Sequence, residues 1–226
     1  MLDWFQQAWA MWVAQAGIWT GITLVFLIII LALPFIPLLG FLIAPLLAPV
    51  LLAGMQYANQ KASREETLQI DDLFVGFKQK TGDLLLLGLL CMLTSLLITL
   101  LTKAFGVSSL LAGVWLLVSG VPGGGAMLLS GLLLTLLIPL LLSSLLSAAM
   151  WFAPSLVLFN NMSPLAALGA SFKACLKNIL PFLFYGLIVL ALFFIAALPA
   201  GLGFLILIPV LSGSIYAAYR DIFIAD

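Results

Sequence analysis

Three long stretches of the chain contain no charged residue, and this feature limits its fold more than any other. They cover residues 18–58, 104–172 and 178–219. Only 7% of all residues are charged, whereas a soluble domain carries about 25% to cover its water-exposed surface. The sequence therefore predicts an all-α, polytopic membrane helix bundle of about six transmembrane helices, forming a single integral membrane domain over residues 1–226.

Proline, glycine and polar residues mark the ends of the predicted spans. The spans cover about 18–33, 38–58, 84–101, 127–151 and 179–198, and a sixth follows Pro199 and Gly201 and ends near Tyr219. Breaks are expected at Pro34 and Pro37. A proline inside a span removes one backbone hydrogen bond, so we also expect kinks within the second span.

Each pair of spans is preceded by a segment with the pattern of an interfacial amphipathic helix. Residues 2–15 place several tryptophans on one helical face, residues 59–83 contain Phe77, and residues 160–178 contain Phe172. Ser163 and Pro164 suit the N-cap and the first position of a helix. Tryptophan prefers the headgroup level of a bilayer. We therefore expect these segments to lie along the membrane surface, the first being retained and not cleaved as a signal peptide.

The same order of elements recurs three times along the chain. Ala48-Pro49-Val50-Leu51, Ala153-Pro154-Ser155-Leu156 and Ile208-Pro209-Val210-Leu211 lie in the second span of each unit. The predicted repeat units are about 1–60, 61–160 and 161–226. The middle unit holds an insertion near 104–126, whose apolar part (107–119) is shorter than the roughly 17 residues that a spanning helix needs. The sequence predicts a re-entrant or interfacial helix there, after a third span that ends near Lys103.

The distribution of basic residues predicts the topology. With six spans, both polar loops and both termini share one side of the membrane, and this side holds every Lys and Arg except Lys103. Because basic residues collect on the cytoplasmic side, we expect a multi-pass protein of the bacterial inner membrane with cytoplasmic N- and C-termini.

Two motifs stand beside the three proline-containing spans: Asp72-Leu73-Phe74-x-Gly76-Phe77, and Ala170-Ser171-Phe172-Lys173-Ala174 followed by Asn178-x-x-Pro181-Phe182. In these features the chain resembles a bacterial six-helix inner-membrane family of uncharacterised function. It is more distantly similar to YciC-like proteins and to the membrane domain of glycerophosphodiester phosphodiesterases. The resemblance covers nearly the whole chain. It implies a fold and carries over no catalytic residue.

Two groups of residues are candidate functional surfaces. The candidate lipid or partner surface consists of aromatic and basic side chains on the three interfacial segments: Trp4, Trp9, Trp12, Phe77, Lys78, Lys80, Phe172, Lys173 and Lys177. Basic residues near a membrane surface attract anionic lipid. The candidate polar mouth lies where the second and sixth spans end, and consists of Gln56, Tyr57, Asn59, Tyr216, Tyr219 and Arg220. Topology signalling and ordinary interface anchoring are the alternative explanations of the two groups.

The residues present disfavour most chemistry. There is no histidine, the commonest general base and metal ligand. The acidic cluster of Glu65, Glu66, Asp71 and Asp72 lacks the spacing of a calcium loop, and the two cysteines are not expected to form a disulfide. We expect no catalytic residues, no metal and no cofactor. Serine and threonine side chains of the third and fourth spans, among them Thr94, Ser143 and Ser147, would either line a polar path or tighten helix packing.

The prediction that follows is a non-catalytic inner-membrane protein that interacts with lipids or a membrane-protein partner in an accessory or membrane homeostasis role. Its expected partners are membrane lipids and, as an alternative, another membrane protein or a second copy of the chain, and not nucleic acid. The alternative function is a carrier or channel for an apolar or amphipathic solute, because broken helices are common in transporters.

Overall fold

Helices make up the regular structure of the chain. A computed structural model describes residues 2–36 and 40–224, and within these ranges all regular structure is helical. Six helical segments are long and apolar enough to cross a membrane. The predicted all-α membrane bundle with six spans is therefore confirmed. The predicted start of the second span and Pro37 lie outside the described residues.

The helix boundaries follow the predicted breaks closely. The helices are α1 (Leu2–Ala14), α2 (Ala16–Ala32), α3 (Gly40–Ser63), α4 (Val75–Lys78), α5 (Thr81–Leu101), α6 (Ser108–Val118), α7 (Gly124–Met150), α8 (Ala153–Asn160), α9 (Pro164–Lys177), α10 (Ile179–Ala197) and α11 (Phe204–Phe223). Two short 3₁₀ helices cover Leu33–Phe35 and Ile70–Phe74, and a π-helical segment covers Thr102–Val107. Pro34 ends the first span as predicted, and α9 begins with Ser163 at its N-cap position and Pro164 at N1.

The described chain divides into two compact units, the first of which comprises Met1–Leu89 and Ala149–Asp226. Its centre is built from proline-containing helices, because α3 packs against both α8 and α11. Half of the apolar window of α3 (50%) and of α11 (56%) is buried, against 17% for α2 and 11% for α10. All side chains from Phe152 to Leu158 are buried. Thus α3, α8 and α11 form the interior of this unit, and α2 and α10 present apolar side chains outwards.

The three segments predicted to be interfacial pack against these proline-containing helices. Helix α1 packs on α11, the 3₁₀ helix Ile70–Phe74 and α4 pack on α3, and α9 packs on α8. A hydrogen bond from the Phe152 amide to the Ser171 hydroxyl, 3.0 Å long, fixes α9 to the start of α8. Gln15 joins α1 to the first polar loop, because its side chain donates to Glu66 O (2.9 Å) and accepts from the Leu68 amide (3.0 Å).

The second unit, Leu90–Ala148, corrects the predicted end of the third span. The helix does not end near Lys103: it continues through the π-helical segment into α6, so that one helical segment covers Thr81–Val118. Residues 104–118 therefore continue the helix of the third span without a break, whereas a separate helix was predicted there. Nothing near Lys103 stops a helix, since the nearest proline is Pro122 and the positive φ angles of Gly120 and Gly123 come only after Val118.

Glycines hold the two helices of this second unit together. A Cβ atom at Gly113 would lie 2.6 Å from the Cα of Leu128, and one at Gly131 would lie 2.9 Å from the Cα of Leu110. Only glycine permits so close an approach of two helix backbones. The segment predicted as an insertion is thus the tip of a long helical hairpin, turning at residues 119–123.

Candidate functional site

Helix α1 contacts α11 through small residues, and this contact separates two surface regions of different polarity. Ala8 is buried, and a Cβ atom at Gly213 would lie 3.0 Å from the Cβ of Ala8. The absent side chain of Gly213 therefore allows α1 to lie directly on the middle of α11. The two sides of α1 that flank this contact differ in polarity, and each borders a cleft.

Trp4 fixes the beginning of α1. Its indole N–H donates to Asp221 Oδ2 at 3.1 Å, and its ring lies 6.0 Å from the ring of Phe182 and 6.5 Å from that of Tyr185. Only 6% of Trp4 is exposed. Trp4 was predicted to belong to an exposed lipid or partner surface, and its burial instead assigns it to the packing of α1 on α10 and α11.

The apolar side of α1 borders a cleft with a volume of about 520 Å³. The lining residues are hydrophobic or glycine: Leu2, Phe5 and Trp9 come from α1, Ile188 and Leu192 come from α10, and Ile206 and Val210 come from α11. The cleft continues along α10 to Pro199 in the turn between α10 and α11. Trp9, which is half exposed, lies at its edge. The composition of the lining fits a hydrocarbon chain and offers no group for catalysis.

The opposite side of α1 is polar and borders two smaller clefts. One, of about 440 Å³, is lined by Asp3, Trp4, Gln7, Arg220 and Asp221, with Ala217 and Ile224. The other, of about 330 Å³, shares Gln7 and Arg220 and adds Ser63, Glu65 and Tyr216 among its lining residues. Arg220 thus lies between both clefts. It forms no ion pair with any carboxylate in residues 2–36 and 40–224.

Four residues of the predicted polar mouth are buried and do not form an opening. Gln56 Nε2 donates to Ser212 O and Ser212 Oγ, both at 3.3 Å, and Asn59 Nδ2 donates to Ser212 Oγ at 2.8 Å. Gln56, Asn59, Tyr216 and Tyr219 are each less than 5% exposed. The ends of α3 and α11 were predicted to be neighbours, and Gln56 and Asn59 of α3 bond to Ser212 of α11 because a buried polar group needs a hydrogen-bond partner.

The tyrosines of this cluster also contact α8. Tyr219 donates to Asn160 Oδ1, and the ring of Phe159 lies 6.1 Å from that of Tyr216. The two other members of the predicted mouth lie further out, since Tyr57 is half-buried and Arg220 is exposed. Of the predicted mouth, Arg220 is therefore the charged group available to a ligand.

The remaining residues of the predicted lipid or partner surface lie on the short helices. Phe77 is 40% exposed, Phe172 and Trp12 are half-buried, and Lys78, Lys80, Lys173 and Lys177 are exposed. Lys78 Nζ lies 3.8 Å from Asp71 Oδ2. In the described parts of the chain, these basic groups border none of the three clefts around α1.

The hydroxyl residues of the third and fourth spans do not line a shared path. Thr94, Ser143 and Ser147 are exposed. The hydroxyl of Thr94 donates to Leu90 O of its own helix at 2.8 Å, and that of Ser144 donates to Leu141 O at 2.7 Å. Such bonds satisfy a hydroxyl group within the helix that carries it. The observation gives no support to a polar conduit for a solute.

Asp72 and Cys175, two ionisable residues outside the membrane spans, lie in environments that indicate structural roles. The carboxylate of Asp72 accepts from Lys61 Nζ at 2.9 Å and from the Gln69 amide at 2.7 Å. Burial raises the pKa of the Cys175 thiol on α9 to about 11. Within residues 2–36 and 40–224, no group of three His, Cys, Asp or Glu side chains is placed to hold a metal ion. Asp72 thus acts as an ion-pair and capping residue of the first polar loop.

Helix α1, between the apolar cleft and the two polar clefts, defines the candidate site on a multi-pass α-helical membrane protein. No family model, no curated protein and no solved structure matches the chain. The resemblance to the six-helix inner-membrane family therefore stays a prediction. Asp3, Gln7, Asp221 and Ser212 were not among the predicted site residues. The occurrence of Asp3 and Gln7 among aromatic residues was the signal in the sequence that α1 has a polar side.

Proposed function

We propose that the protein is a non-catalytic protein of the bacterial inner membrane that binds a membrane lipid beside α1, in an accessory or membrane homeostasis role. The observation that carries the proposal is the 520 Å³ apolar cleft between α1, α10 and α11. Binding sites for small molecules have volumes of about 300–1,000 Å³. An uncharged cleft bordered by two membrane-spanning helices is filled most readily by the hydrocarbon chain of a lipid.

The length of the cleft agrees with this occupant. Its lining on α10 extends from Ile188 to Ala196 and continues to Pro199, which is about 16 Å at 1.5 Å per residue. This is about half of the ~30 Å hydrocarbon core of a bilayer, the depth of one leaflet. One acyl chain of a lipid therefore fits along the cleft, in the half of α10 that ends at the turn to α11.

The two-sided polarity of α1 supports a position at the membrane surface. Leu2, Phe5 and Trp9 line the apolar cleft, whereas Asp3 and Gln7 line a polar cleft on the other side. An amphipathic helix with these two sides lies at the boundary between hydrocarbon and headgroups. The excess of basic residues on the side of the polar loops supports cytoplasmic N- and C-termini.

The packing of the short helices supports the proposed threefold internal repeat. The short helix of each proposed unit packs on the proline-containing helix of the preceding unit, with α1 closing the series on α11. A repeat of this kind would present three comparable surface helices to the same leaflet. Only α1 combines such a position with a large apolar cleft among the three clefts described above.

Filling the cleft tests the proposal. In Leu192→Trp the indole occupies the cleft, and in the control Leu190→Trp it extends from the exposed face of the same helix. We expect Leu192→Trp to reduce lipid that co-purifies with the protein by about tenfold, which corresponds to ~1.4 kcal/mol, and Leu190→Trp to leave it unchanged. Native mass spectrometry of protein released from nanodiscs measures bound lipid directly. Equal lipid retention by both variants and the native protein would contradict the proposal.

A further inference from the structure

The polar cleft beside α1 combines both signs of charge. Arg220 has no ion-pair partner among the described residues, although Asp3 and Asp221 line the same 440 Å³ cleft. Asp221 is held in place by the indole N–H of Trp4, which contacts only one of its two oxygens. The cleft therefore presents a guanidinium group and carboxylate oxygens that are separate from one another.

A ligand that satisfies all of these groups needs an anion and a hydrogen-bonding cation. Arginine suits phosphate because its planar fork donates two parallel hydrogen bonds. Carboxylates suit a primary ammonium group, which has three N–H donors. A purely anionic headgroup would meet repulsion from Asp3 and Asp221, and a trimethylated ammonium group has no N–H to donate. The charges of the cleft thus complement a phosphate joined to a primary ammonium.

We propose that the cleft formed by Asp3, Gln7, Arg220 and Asp221 binds the headgroup of a zwitterionic aminophospholipid of the phosphoethanolamine type. The phosphate contacts Arg220, and the ammonium contacts Asp3 and the free oxygen of Asp221. The amide side chain of Gln7, which lines both polar clefts, donates to the phosphate. This inference rests on the proposed lipid-binding function and adds a headgroup site on the polar side of α1, opposite to the apolar cleft.

The position of the cleft supports a lipid source for this headgroup. Arg220 lies in the last turn of α11 and Asp3 in the first turn of α1. Arg220 is thus at the end of a membrane span, and Asp3 is on the polar side of the proposed interfacial helix, the level at which headgroups lie. Trp4, whose indole spans from the aromatic contacts of α10 to Asp221, is typical of that level.

The test compares three lipids in otherwise identical nanodiscs containing the full-length chain. The probes are palmitoyl-oleoyl lipids with phosphoethanolamine, phosphocholine or phosphoglycerol headgroups, and native mass spectrometry measures the lipid retained per protein. We expect the native protein to retain the phosphoethanolamine lipid at least fivefold better than the other two, since one charge near the membrane surface changes affinity by about this factor.

One double variant, one single variant and one control assign the contacts. Asp3→Asn/Asp221→Asn keeps an oxygen acceptor for Trp4, and should lose the preference for phosphoethanolamine over phosphocholine without reducing phosphocholine retention. Arg220→Gln should reduce retention of both lipids about fivefold. Arg64→Gln, an exposed arginine that does not line the cleft, should change neither.

The outcomes separate this inference from the proposed function. Equal retention of the three lipids by the native protein, or a preference that persists in the double variant, would overturn the headgroup assignment. If Leu192→Trp still reduces lipid in that case, the lipid-binding function stands without it. Absence of retained lipid from the native protein in every nanodisc would overturn both.

Discussion

The buried ion pair of the first polar loop shows how single residues define this fold. Asp72 is 6% exposed, and its carboxylate accepts two bonds from Lys61 Nζ, at 3.0 and 2.9 Å, and one from the Gln69 amide at 2.7 Å. It therefore connects the end of α3 to the start of the 3₁₀ helix Ile70–Phe74. Asp71, next to it, is exposed.

Replacement of Asp72 should therefore destabilise the protein, whereas replacement of Asp71 should not. We expect Asp72→Ala to lower the free energy of unfolding by about 2–4 kcal/mol, because it leaves the Lys61 ammonium without its partner in a partly buried site. Asp72→Asn, which keeps an acceptor for the Gln69 amide, should cost less. Asp71→Asn is the control and should stay within about 0.5 kcal/mol. Unfolding by SDS in mild detergent measures all three, and an equal effect of Asp71→Asn and Asp72→Ala would contradict this role.

At the residue scale, the sequence predicted which polar residues lie together but not that they are buried. Gln56 and Asn59 were predicted near Tyr216 and Tyr219, as the structure has them. Their partner Ser212 was missed because it lies one helical turn before Tyr216, where a serine within an apolar span does not show which helix it faces. A single sequence gives the hydrophobicity of a helix but does not say which face meets a neighbouring helix. For the same reason Trp4 was assigned to the surface.

At the scale of elements, the spans could be predicted because apolar length and proline positions are local properties of the sequence. Pro34 and the Ser163-Pro164 pair mark boundaries as expected. The helix of the third span continues past the end predicted near Lys103. A charged residue does not break helix hydrogen bonding, and the backbone continues through Thr102–Val107 with π-helical geometry. The hairpin that results depends on glycines from both helices.

Substitution of these glycines tests the hairpin. A Cβ atom at Gly113 would lie 2.6 Å from the Cα of Leu128, whereas one at Gly125 would have no neighbour within 4 Å. We expect Gly113→Ala to lower the unfolding free energy by about 1–3 kcal/mol through overpacking. Gly125→Ala should be neutral or slightly stabilising, because alanine favours the helix over glycine. The unfolding free energy in detergent distinguishes them, and equal stability of the two variants would show that the helices do not approach closely.

At the scale of the whole molecule, the packing of short helices on the interior helices brings distant parts of the chain together. Helix α1, at the start, packs on α11, at the end, and Ala8 meets Gly213. The predicted repeat implies three similar units but does not indicate which unit lies next to which in space. The apolar and polar clefts exist only because of this contact. The candidate site could therefore not be predicted from the spacing of its residues, although Arg220 was identified.

The side of the membrane on which each loop lies provides a test of this arrangement. If the helical segments Thr81–Val118 and Gly124–Asn160 each cross once, residue 121 lies opposite to residues 79 and 161. In a chain with Cys91 and Cys175 replaced by alanine, we expect Gln79→Cys and Asn161→Cys to react with a membrane-impermeant maleimide in inverted vesicles only. Val121→Cys should react in intact spheroplasts only. All three positions are exposed, so access is decided by the bilayer and not by packing.

Residual labelling of Cys175 in an unreplaced chain should be slow, because burial raises the pKa of its thiol to about 11, and the thiolate is the reactive species. Labelling of position 121 from the same side as 79 and 161 would mean that neither segment crosses the membrane. The polar side of α1 would then lack the shared cytoplasmic surface on which headgroup binding depends.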